Sequence, residues 1–209
     1  MANERNSVSR LVQVIEGSNE FLEWRKGNKS AHLSSVFAMG KSAKQLDEWL
    51  LSYYDLKDDT FTTFSTAGSM TAAKEQAFKK GKAVPQLESG SVKVEIWDSI
   101  KIAENVKESN YKDDDANTVI TILQPLTHGE ISGKSSTSSK SGGSNGRGGK
   151  KEAERKSLEN DKARPVWNIT YITTSFNVIN IKIDAKTGEV LSHRISGVMD
   201  FAQKDNNNA

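Results

Sequence analysis

The chain has 209 residues, 35% of them hydrophobic and 27% charged, with no cysteine and a formal net charge of +2. That length admits one large domain or two of roughly 80 to 100 residues each. The near-neutral balance excludes the strong overall field of a dedicated nucleic-acid binder, and without cysteine there is no disulfide framework, thiolate zinc site or thiol nucleophile.

The polar opening Met1–Arg10, followed by apolar residues broken by Gln13, Glu16 and Asn19, argues against a signal peptide. No apolar run approaches the roughly eighteen residues of a membrane span, so a cytoplasmic protein is expected. Leu11, Val12, Val14, Ile15, Phe21, Leu22 and Trp24 follow Ser7 and Ser9 at spacings that predict a helix over about 8–25, weakened at Gly17. After the turn signal Gly27-Asn28-Lys29-Ser30, the segments His32–Met39, Trp49–Tyr54 and Thr60–Phe64 read as an antiparallel meander. Asp58-Asp59 supplies one of its turns. Thr71–Lys80 reads as a short second helix ended by Gly81 and Pro85.

Val92, Val94 and Ile96 alternate with Lys93 and Glu95, the period-2 signature of a half-buried strand. Asp98 then caps a helix through about Ser109 that turns Ile102, Ala103 and Val106 inward. Thr118–Leu123 is a β-branched strand stopped by Pro125. Further on, Val166–Thr173 and Asn177–Asp184 read as strands, and Ala185-Lys186-Thr187-Gly188 turns tightly into Val190–Ile195.

Between Gly133 and Lys151 lie six glycines, six serines and five basic residues with no acid and no apolar side chain. Such a stretch has nothing to bury against the entropy cost of ordering and is expected to be a mobile tether. Glu152–Arg164 is mixed in charge and predicts a short frayed helix. Counted by segment, residues 1–133 carry 16 bases and 19 acids, 134–164 carry 9 and 4, and 165–209 carry 4 and 4. The basic character belongs to the insert.

Trp49-Leu50-Leu51-Ser52-Tyr53 and Trp167-Asn168-Ile169-Thr170-Tyr171 share the pattern Trp-x-aliphatic-hydroxyl-Tyr, 118 residues apart. In a strand, this alternation puts Trp49, Leu51 and Tyr53, and likewise Trp167, Ile169 and Tyr171, on one face for a helix to cover. The same offset lays Phe61-Thr62-Thr63-Phe64 on Ile179-Asn180-Ile181-Lys182, whereas upstream elements align at about 86 or 87, a change close to the length of the insert. Two copies of helix, strand, strand, strand are therefore expected. The reading is an α+β fold of two similar units, each a helix on a small antiparallel sheet, with the option of one joint sheet. Its boundaries are 1–85, 86–199 with the basic loop at 133–164, and a disordered tail at 200–209.

The stretch from Pro165-Val166-Trp167-Asn168-Ile169-Thr170-Tyr171 through Ile183-Asp184-Ala185-Lys186-Thr187-Gly188-Glu189-Val190-Leu191 resembles the PepSY family, which shows an aromatic strand and then a hydrophobic-Asp-x-x-Thr-Gly-Glu turn. The first copy, around residues 8–66, is weaker and lacks that turn. The resemblance implies a helix packed on a small antiparallel sheet, in modules found in peptidase propeptides and in stand-alone proteins that bind or inhibit peptidases. Physically the turn is hairpin chemistry: Asp184 accepts from the turn's own backbone and Gly188 takes positive φ.

Candidates for catalysis are few. His32, His128 and His193 stand apart from one another and from carboxylate clusters, Ser89-Gly90-Ser91 and the serines of the Gly/Ser insert are turn and tether material rather than a nucleophile elbow, and Asp113-Asp114-Asp115 lacks the spacing of an EF-hand loop. Gly146-Arg147-Gly148-Gly149-Lys150-Lys151 has no preceding strand and no closing hydroxyl, so it is not a phosphate-binding loop. Together with Lys140, Arg155 and Lys156 it is the candidate for contacting phosphates, without aromatic residues for base stacking. The expectation is thus a binding or regulatory protein, not an enzyme, with no cofactor or metal, that engages a protein or peptide partner. The partner-binding candidates are Arg147, Lys150, Lys151, Arg155 and Lys156. The alternative is a nucleic-acid-associated protein acting through the same basic loop.

Overall fold

A computed structural model describes residues 7–46, 48–67, 73–76, 84–132 and 162–197. Two short helices open the chain, α1 (Val8–Glu16) and α2 (Asn19–Gly27). They replace the single helix expected over 8–25, because Ser18 at the Gly17 break caps a new helix by accepting from Phe21 N at 3.3 Å, as Ser7 caps α1 from Arg10 N. Then come β1 (Ala31–Gly40), β2 (Glu48–Asp55) and β3 (Thr60–Ser65), the expected meander, and β4 (Ala73–Gln76). After α3 (Ile96–Asn110) follow β5 (Ala116–Leu126), the short α4 (His128–Ser132), β6 (Arg164–Thr173), β7 (Asn177–Asp184) and β8 (Val190–Gly197).

All eight strands form one α+β sheet of order β4-β3-β2-β1-β5-β6-β7-β8, antiparallel at every pairing. Its centre is the β1–β5 ladder, in which Val36 lies opposite Leu123 and Gly40 opposite Val119. One face carries Trp49, Leu51, Tyr53, Trp167, Ile169 and Tyr171, each no more than 4% exposed, and packs against Val8, Leu11 and Ile15 of α1, Phe21 of α2 and Ile96, Ile100 and Ala103 of α3. Apolar burial on this scale drives the fold, at about 1.5–3 kcal/mol for each large side chain. Among the described residues the opposite face holds one helix, α4, where Leu126, Ile131 and Val166 form a second small cluster.

Four local expectations are corrected. Residues 73–76 are a strand, not part of a helix, because Thr60–Thr63 of β3 offers an unpaired edge that they complete; the rest of the Thr71–Lys80 prediction lies outside the described residues except for this span. Val92–Glu95 is a connecting segment, not a strand, and Ile96 opens α3: the Lys93 and Val94 N–H groups both donate to the Ala185 carbonyl, and the Trp167 indole N–H donates to the Val94 carbonyl at 2.8 Å. Glu95, not Asp98, stands at the start of α3, while Asp98 pairs with Lys101 in its first turn. Pro125 does not stop β5, because it lies opposite Pro165 in β6. The Pro165 carbonyl points away to accept from Ala185 N, so this rung demands no N–H from either proline.

Register also refines the internal offsets. Leu51 lies opposite Phe64 and Ile169 opposite Ile181, so the rung partners in β3 and β7 lie 117 residues apart rather than 118. One fewer residue in the second hairpin accounts for the step. Both hairpins bring a non-glycine residue to positive φ just before the returning strand, Asp59 at 54° and Phe176 at 58°. The residues facing the two Trp-x-aliphatic-hydroxyl-Tyr strands lie 85 or 86 apart: Val36 and Thr121 face Leu51 and Ile169, and Leu33 and Val119 face Tyr53 and Tyr171.

Candidate functional site

The residues singled out in the sequence divide into three groups. Trp49, Leu51, Tyr53, Trp167, Ile169 and Tyr171 are core, so they shape surfaces without presenting one. Asp184 and Gly188 build the β7–β8 turn: the Asp184 carboxylate accepts from Lys186 N at 2.8 Å and Thr187 N at 3.2 Å and pairs with Arg164 at 3.2 Å, and Gly188 has φ +78°. Arg147, Lys150, Lys151, Arg155 and Lys156 lie outside the described residues, as do the expected helix up to residue 161 and the 200–209 tail.

No catalytic constellation assembles among the described residues. His32 faces the Val84 carbonyl and the Tyr54 ring, and His193 shares a 2.8 Å hydrogen bond with the Tyr111 hydroxyl. Asp114 accepts from the Asn177 amide, tying the loop before β5 to the β6–β7 turn. No group of three histidine or carboxylate side chains stands close enough to hold a metal, and no helix is long and apolar enough to cross a membrane, both among the described residues.

What the sheet does offer is a groove of about 420 Å³ on the face opposite α1–α3. Phe37, Met39 and Leu50 form its floor, Thr118 one side, and Lys41 and Glu48 its charged rim. Met39 is 49% exposed, and Phe37 and Leu50 are half-buried. Gly40 closes one end, because a Cβ there would meet the Gln45 carbonyl oxygen at 1.7 Å; only glycine lets the β1–β2 loop fold back so tightly. The rows Leu50–Phe37–Ile122 and Met39–Ile120 are paired across β2, β1 and β5, so the apolar surface crosses the centre of the sheet. Farther along the same face, Lys182 of β7 donates to the Glu130 and Ile131 carbonyls at the end of α4. Burial, with Arg194 nearby and Glu130 opposing, holds its ammonium below the usual lysine range.

Residues 147–194 match the family model described as "Peptidase propeptide and YPEB domain", PepSY. Over that stretch the chain is PepSY-like. Of the matched stretch, the described part runs through β6, β7, the Asp184–Gly188 turn and most of β8. This PepSY segment contains none of the groove's floor, which comes from β1 and β2. No curated protein and no solved structure matched the chain.

The groove was missed in the sequence because Phe37 and Met39 alternate with Val36 and Ala38, giving a continuous apolar run. A run of that kind signals a strand with two apolar faces, and among the described residues the helices α1–α3 cover one of them.

Proposed function

We propose that the chain is a non-catalytic binding protein built from two PepSY-like units, which holds an extended segment of a protein partner of the peptidase class in the groove over β1, β2 and β5. The observation that carries the reading is the groove: apolar side chains at the centre of a sheet face, with Met39 half exposed and a charge of each sign on the rim, suit a peptide with apolar side chains and a polar backbone. The family description of residues 147–194, a peptidase propeptide domain, is what supports a partner of the peptidase class.

Several features support the tandem arrangement. The sheet order runs outward from β1 and β5 in the same sense on both sides, a helix or helix pair precedes each first strand, and each second hairpin residue pair keeps the Tyr rung opposite the first strand. Each returning strand follows a positive-φ residue, Asp59 or Phe176.

The test is positional. A photo-cross-linking amino acid at Met39, introduced in the source cell, is expected to trap a peptidase or a peptidase-associated protein. The same replacement at Leu22, half exposed on α2, is expected to trap none. Identical adducts at both positions, or none at Met39, would remove this reading.

A further inference from the structure

On the helix side of the sheet, a cleft of about 200 Å³ opens between the second half of α3, the loop after β1 and the start of β5. Glu104 and Glu108 line it from α3, Ser42 and Ala43 from the loop, and Val119 and Tyr171 from the sheet. The two glutamates, four apart, lie on one helix face, and Lys107 beside them leaves the lining one negative charge in excess.

Tyr171 makes this more than an acidic patch. The residue is only 2% exposed, and its hydroxyl has no hydrogen-bond partner among the described residues. Buried hydroxyls are normally satisfied. Tyr53, at the same place in the first half, donates to Glu16 Oε1 at 3.2 Å. Burial, with Glu104 nearby, pushes the Tyr171 phenol above its usual value, so it stays protonated and keeps a lone pair for an incoming N–H.

We propose that this cleft receives a lysine or arginine side chain of the partner segment, its cationic head between Glu104 and Glu108 and hydrogen-bonded to the Tyr171 hydroxyl, its methylenes against Ala43 and Val119. An anion would meet two carboxylates, and an aliphatic side chain would leave the hydroxyl unsatisfied. A metal ion has too few ligands, since no cluster of three acidic or histidine side chains occurs among the described residues. Position fits the same partner: Lys41 borders the groove on one face and Ser42 borders the cleft on the other, so a segment crossing this loop touches both.

The inference rests on the peptide-binding reading, yet it is tested without a partner. N-acetyl-arginine amide, titrated against the full chain and followed by amide NMR, is expected to give saturable millimolar shifts at Glu104, Glu108 and Val119, while N-acetyl-norleucine amide gives none. Paired Glu104→Gln and Glu108→Gln substitutions are expected to weaken the arginine probe about tenfold or more. Tyr171→Phe, which keeps the ring in the core, is expected to weaken it about threefold, and Lys107→Ala to strengthen it. Equal binding of the norleucine probe, shifts indifferent to the glutamate pair, or an unchanged affinity in Tyr171→Phe would each overturn the proposal. Failure here leaves the Met39 cross-link untouched, and failure of that cross-link leaves the probe's binding intact.

Discussion

In the first half of the sheet, Phe21, Trp24, Tyr53 and Phe64 interlock with ring centroids 4.9–5.7 Å apart, whereas the second half is filled by Ile169, Ile179, Ile181 and Ile183 around Trp167 and Tyr171. The aromatic half is also closed by polar handles. Arg25 sits 5.0–5.8 Å over the rings of Phe21, Trp24 and Tyr53, and Glu16 takes the Tyr53 hydroxyl. Among the described residues the aliphatic half has no such lid over Tyr171. The contrast teaches that one strand pattern, Trp-x-aliphatic-hydroxyl-Tyr, supports a sealed core on one side and leaves a cleft on the other, according to what the covering helix brings.

The largest test of this contrast compares the two tryptophans. Trp167 is fully buried and its indole also anchors the Val94 carbonyl, so Trp167→Ala is expected to cost about 4–5 kcal/mol in urea denaturation, against about 3 kcal/mol for Trp49→Ala. An equal or larger loss at Trp49 would mean that the aromatic half bears more of the stability. The hairpins come next. Phe176 is 74% exposed at φ 58°, and Phe176→Gly is expected to stabilise the chain by about 1 kcal/mol by relieving the left-handed backbone. Asp59→Gly should gain nothing, because the Tyr54 hydroxyl would lose its 2.8 Å acceptor.

The smallest effect is a pH dependence confined to the first half. Burial raises the Asp55 pKa, but hydrogen bonds from Ser30 Oγ and from the Lys57 and Asp58 N–H groups outweigh it, leaving the folded value below 3.8. A carboxyl with a depressed folded pKa contributes stability above 3.8 that is lost as pH falls through the folded value. Asp55→Asn is therefore expected to lower stability by about 0.5–1 kcal/mol at neutral pH, with the difference closing in acid. A constant gap across that range would show that the amide, not the charge, matters.

The strands of both meanders could be read from alternation because each has one face in a helix-covered core: Trp49, Leu51 and Tyr53 face in, while Ser52 meets Thr63 on the other side. Where the sequence misled, a tertiary partner decided the outcome. The alternation of Val92, Val94 and Ile96 marks a segment laid over the Ala185–Gly188 turn, where a Cβ on Gly188 would already touch Ile102 and Val94 at 3.4 and 3.6 Å. Pro125 reads as a stop until Pro165 is seen opposite it. The cleft was illegible for a related reason. Glu104 and Glu108 look like an ordinary solvated helix face, and only the packing of α3 brings them beside a buried hydroxyl.

The β1–β5 ladder has a further consequence. Either half alone would leave a long edge strand with apolar side chains on both faces, Val36, Phe37, Ala38 and Met39 in one case and Val119, Ile120, Ile122 and Leu123 in the other. Such an edge pairs with its own kind, and antiparallel pairing of like strands is how two copies of one unit would meet across a homodimer's twofold axis. On the tandem reading, joining the copies in one chain replaces a concentration-dependent association with an intramolecular one. It also frees each half to diverge, so that one core could close while the other kept an opening.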